Sequence, residues 1–130
     1  MPALLDTNVL VRHLTGDPPA MARRATAYLS GADELFLTDL VVAELVYVLE
    51  SFYELARPEV AQRARAVVGF GAVVVQDDIV LLRALDLYEH LGLDFAEAYL
   101  LATAEASGIN AVASFDRSID RVGTVERIEP

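Results

Sequence analysis

The sequence predicts an α/β protein whose parallel sheet is covered by helices on both faces. Three observations carry this. Short apolar runs alternate with longer stretches of helical period along the whole chain, the pattern that strand–helix units of a parallel sheet leave in a sequence. The 130 residues are 55% hydrophobic and 23% charged, which suits one domain spanning 1–130 with a single core and no disorder. Turn punctuation such as "TGDPPA" and "GAD" separates the runs, and Gly108 is placed to end a helix.

The elements follow in order. Ala3, Leu4 and Leu5 form the first strand-like run, interrupted by Asp6-Thr7-Asn8; Val9, Leu10, Val11 and Leu14 then continue one apolar face, which sets a helix at 8–14. A second helical stretch covers 19–29, entered through Pro18-Pro19. The strand-like run 35–38 leads into a helix at 39–53, and a further helix covers 58–68. The β-branched run 72–75 precedes a helix at 78–90, and the stretch 94–106 is helical from Asp94 onward. Runs at 111–114 and, more weakly, 125–128 complete the strands. In sheets of this kind ligands gather beyond the carboxyl ends of the strands.

Composition narrows the function. The longest apolar run, 66–75, contains two glycines and falls far short of the roughly 20 residues a membrane span needs. No basic start or apolar leader opens the chain, so a cytoplasmic protein with no membrane association is expected. With no cysteine, disulfides and thiolate metal sites are excluded, and two distant histidines, His13 and His90, make no histidine-rich site. The net charge of −10 argues against coating nucleic acid by bulk charge. It leaves a nuclease open, because metal ions invert a local acidic field. All ten basic residues are arginines, so lysine general bases and P-loop lysines are absent.

Several acids stand in improbable places. Asp6 follows the first strand; capping the next helix is its plain structural explanation. Glu44 has Leu40, Val41, Tyr47 and Val48 as its same-face neighbours, so it projects from an apolar stripe with no arginine on its helix to pair with it. Asp94 and Glu97 stand one turn apart in "LDFAEAYLLATA", nearly a capping box, yet Leu93, Leu100 and Leu101 surround Glu97 and aim it toward the core. Asp116 repeats the pattern of Asp6: an apolar run, an acid, then a short helical turn. Asp77-Asp78 after "AVVVQ" fits the same description, so strand-end aspartates alone are not diagnostic. Taken together, two strand-end acids and others from helix faces suit one rim of a sheet. Carboxylates gathered there repel and raise each other's pKa, which a divalent cation relieves. All-oxygen donors suit Mg²⁺ or Mn²⁺, ions that generate hydroxide from water and clamp a reacting phosphate.

The motifs "LLDTNVLV", "AELVYVL", "LDFAEAYLLATA" and "VASFDRSID" resemble, in order and spacing, the PIN domain family, in particular the bacterial VapC-type ribonuclease toxins. The resemblance covers essentially the whole chain. It implies a three-layer α/β/α fold with a central parallel sheet of about five strands, and Mg²⁺- or Mn²⁺-dependent hydrolysis of RNA. By motif it implies Asp6 and Glu44 as the first two metal-binding acids, a third from the "DFAEA" helix (Asp94 or Glu97), and Asp116 as the fourth. Asn8 and Ser114 match polar positions that support such a cluster by hydrogen bonds. The resemblance further implies a cognate antitoxin partner and a homodimer. Two positions depart from the family pattern: Glu97 stands where aspartate is usual, adding a methylene, and Ser114 where threonine is commoner.

Two other classes fit less well. A phosphoaspartyl phosphatase of the haloacid dehalogenase type wants an aspartate two residues after the first, where Asn8 stands, and a catalytic lysine. A binding module, either a receiver-like domain or a PIN fold with a weakened site, remains the alternative. The lack of lysine counts against the receiver, and the Glu97 departure keeps the weakened PIN fold in play.

Overall fold

The computed structural model describes residues 1–130, which fold as two compact units, Met1–Gln76 and Asp77–Pro130. The first contains three strands, β1 (Ala3–Leu4), β2 (Leu35–Leu37) and β3 (Val73–Val75), paired in parallel in the order β1-β2-β3. Its helices are α1 (Thr7–Thr15), α2 (Pro19–Gly31), α3 (Asp39–Ser51) and α4 (Arg57–Val68). Parallel strands need long crossovers, and helices fill each connection here. Leu10, Leu35, Leu45, Leu49 and Val60 are buried in this unit. Period-two alternation places Leu35 and Leu37 inside, while Leu4, Phe36 and Val74, in register across the three strands, are exposed.

The second unit contains α5 (Asp78–Leu91), α6 (Phe95–Ser107), β4 (Ala111–Ala113), a short 3-10 turn (Arg117–Arg121) and β5 (Glu126–Ile128). Strands β4 and β5 pair in parallel. All five expected strands are therefore present, as a three-stranded and a two-stranded parallel sheet. Gly92 ends α5 in the left-handed conformation (φ 68°), which a residue without Cβ adopts freely. Only Leu93 and Asp94 then separate it from α6. Arg83 near the start of α5 meets Glu105 near the end of α6, so the two helices run antiparallel. The contact is a fork, Nε to Oε1 at 2.8 Å and Nη2 to Oε2 at 3.1 Å. Leu81, Leu85, Tyr88, Leu101 and Ile119 are buried in this unit.

Candidate active site

The second unit brings three of the expected acids together. Asp94 is the N-cap of α6, and its Oδ1 accepts the Glu97 amide proton at 2.8 Å. That bond engages Asp94 in the helix end and leaves the Glu97 carboxylate free to point elsewhere. Glu97 is half-buried, and its Oε2 accepts the Ser118 hydroxyl proton at 2.9 Å. Ser118 lies in the 3-10 turn that follows Asp116, and its own amide donates to Asp116 Oδ1, also at 2.9 Å. One residue thereby ties both acids. The Asp116 amide in turn donates to Ser114 Oγ at 2.9 Å, so Ser114 fixes the start of the turn. Arg127 on β5 clamps the same turn: its Nη1 donates to the Ser114 carbonyl at 3.1 Å and its Nε to Asp120 Oδ1 at 3.0 Å.

Electrostatics separate the two acids. Burial pushes the Glu97 carboxyl above its ordinary value. A hydrogen bond with Asp116 and the charges of Asp94 and Asp116 push the same way, against the opposing Ser118 bond. Asp116 moves down to about 2, chiefly through the hydrogen bond from Glu97 and then through the amide and hydroxyl of Ser118. The two acids thus shift in opposite directions, Glu97 up and Asp116 down. A divalent cation between two adjacent carboxylates relieves their repulsion.

The first unit holds Asp6, Asn8 and Glu44. Asp6 is the N-cap of α1 by backbone geometry, yet its side chain makes no capping bond. The contrast with Thr38, Asp77, Asp94 and Asp116, each of which accepts an amide proton at the start of its helix, is informative. Capping, the plain explanation for Asp6, does not describe its carboxylate, which is exposed beside the equally exposed Asn8. Capping does describe Asp77. Glu44 is exposed on α3, and so are its neighbours Leu40 and Tyr47, at 79% and 69%. The buried stripe of α3 is Val42, Leu45, Val46 and Leu49, so Glu44 sits on a second, open apolar stripe of the same helix.

The donors fit a hard divalent cation. They are carboxylate oxygens, and one pair is already within hydrogen-bonding reach. Neither unit alone gathers three or more acids and imidazoles tightly enough to hold an ion by side chains only. Mg²⁺ does not require that, since it commonly takes one or two carboxylates and keeps several waters. Sequence reasoning missed Ser118 and Arg127. The one signal available for Ser118 was its place two residues after a strand-end aspartate, where an amide closes a turn on the carboxylate.

The PIN domain family model matches residues 3–125, and the chain belongs to the PIN domain family. It is similar to the VapC ribonuclease of Aquifex aeolicus (strain VF5), 26% identical over 123 residues, covering 92% of this chain and 91% of that protein. Among solved structures it is similar to Mycobacterium tuberculosis VapC20, a sarcin-ricin loop cleaving toxin, with 18% identity, complete coverage of both chains (100% each) and a TM-score of 0.46. VapBC2 from Rickettsia felis, bound to a DNA fragment from its promoter, shows 12% identity, 98% coverage of each chain and a TM-score of 0.40.

Proposed function

We propose that this chain is a divalent-metal-dependent endoribonuclease, the toxin of a toxin–antitoxin module, with Asp6, Glu44, Glu97 and Asp116 as its metal-binding acids. The observation that carries the reading is the Glu97–Asp116 pair, two carboxyls held by the hydroxyl and the amide of a single serine. The Aquifex relative, named as a ribonuclease and matched over nearly its whole length, supports the choice of RNA. Asp94 belongs to the site as the cap that orients Glu97. A cognate antitoxin and a homodimer extend the proposal through the motif resemblance, and cytoplasmic residence fits a chain in which no helix is long and apolar enough to cross a membrane.

When bound, Mg²⁺ or Mn²⁺ activates water and stabilises the charge that develops on the phosphodiester. The chain's own part is to present and hold charge. Asp116, kept ionised, offers a permanent anionic oxygen, and Ser114 and Ser118 fix its direction through the turn. Glu97, turned by the Ser118 hydroxyl, would supply a second carboxylate oxygen to the ion. No side chain acts as a covalent nucleophile. Incubating defined RNAs with the protein in Mn²⁺, in EDTA, and with Asp6→Asn in Mn²⁺ tests the reading. Cleavage is expected only in the first. Full cleavage in EDTA, or by Asp6→Asn, contradicts it.

A further inference from the structure

We propose that Ser118 is a positioning residue that sets the direction of Glu97 toward Asp116, and so compensates for the extra methylene that glutamate carries at position 97. The inference rests on the reading of Glu97 and Asp116 as metal-binding acids. Its geometry is internal to the second unit. The hydroxyl donates to Glu97 Oε2 at 2.9 Å, and the amide of the same residue donates to Asp116 Oδ1 at 2.9 Å. Ser118 is therefore the single residue that measures the separation of the two acids, with one hand on each.

A glutamate has one more rotatable bond than an aspartate, and a half-buried carboxylate with an unfixed terminal torsion loses directional preference. The hydroxyl fixes one Glu97 oxygen, Oε2, and with it the direction of the carboxylate. Neighbouring bonds make the anchor rigid. Ser118 sits on a turn held from behind by Ser114 Oγ at the Asp116 amide and by Arg127 at the Ser114 carbonyl. Ile119, the next residue, is buried at 1% exposure, so the turn cannot drift. An aspartate at 97 would end one methylene earlier, short of this hydroxyl. The pairing of Glu97 with Ser118 thus reads as one unit.

The test is calorimetric titration of the full chain with Mn²⁺ in wild type, Ser118→Ala, Ser118→Thr, Glu97→Asp, and Ser118→Ala combined with Glu97→Asp, each checked for folding by circular dichroism. Ser118→Ala is expected to weaken Mn²⁺ binding by about tenfold, the lower range for an outer partner of a metal ligand, and Ser118→Thr to restore it. In the Glu97→Asp background, Ser118→Ala is expected to add less than about twofold. Wild-type affinity in Ser118→Ala overturns the inference, as does an equal loss in the Glu97→Asp background or failure of Ser118→Thr to rescue. If wild type takes up no Mn²⁺ at all, the reading of the site as metal-binding falls and takes this inference with it. That outcome is distinct from a wild type that binds and a Ser118→Ala that binds equally well.

Discussion

Asp94 caps the helix from which Glu97 projects: its Oδ1 accepts the Glu97 amide proton at 2.8 Å, while the Glu97 carboxylate turns to Ser118. Two acids one turn apart thereby divide the work. Asp94→Ala removes the cap and is expected to lower stability by about 1 kcal/mol in urea unfolding, whereas Asp94→Ser retains a capping oxygen and most of that stability. Glu97→Gln is expected to behave oppositely, with stability near wild type and Mn²⁺ affinity lost.

Ser114→Ala removes the hydroxyl that accepts the Asp116 amide proton. A loss of about 1 kcal/mol in stability is expected, with weaker Mn²⁺ binding, because the turn presenting Asp116 loses its fixed end. Ser114→Thr keeps the acceptor and is expected to match wild type in both measurements.

The Arg83–Glu105 fork gives the second unit an acid-sensitive brace. The Arg83 hydrogen bond holds the Glu105 carboxyl below its ordinary value, against some burial. A carboxyl lowered on folding stabilises the native state above its unfolded pKa, near 4.3, and that contribution is lost as pH falls through the folded value. Glu105→Gln is therefore expected to be less stable than wild type by about 1 kcal/mol at pH 7, with Arg83 partly exposed to screening water. The gap is expected to close as the pH drops below the folded pKa. Urea midpoints of both proteins from pH 7 downward check this.

Gly92 closes α5 at φ 68°, and a Cβ built there meets Arg121 Nη1 at 3.3 Å. That guanidinium donates to the Leu91 and Gly92 carbonyls at 3.1 and 3.3 Å. Gly92→Ala combines backbone strain with displacement of Arg121, and a loss of about 1 kcal/mol or more is expected in thermal or urea unfolding.

The elements were legible in the sequence because apolar period and turn punctuation act locally. All six helices and five strands lie where their runs fall, with ends shifted by a residue or two, as at Asp94, which caps α6 where the periodicity had begun the helix. The site was legible in part. Strand-end position cannot tell a free acid from a cap, since the outcome depends on where the side chain points: Asp77 caps and Asp6 does not. Glu44 shows a second limit. Helix α3 is apolar on more than one face, so periodicity finds an apolar stripe around Glu44 without saying that the Val42–Leu45–Leu49 side is the buried one. Ser118 left only its place two residues after Asp116, because a small polar residue in a turn acquires its role through Glu97, 21 positions away.

If the Glu97–Asp116 pair binds the ion that drives RNA hydrolysis, single-turnover cleavage of a defined RNA at saturating Mn²⁺ separates wild type from Asp116→Asn. The substitution keeps size and the turn-forming oxygen while removing the charge. A fall exceeding the roughly 10–100-fold that outer partners of a metal site command is expected, with unfolding curves unchanged. Equal rates for the two folded proteins would contradict the account.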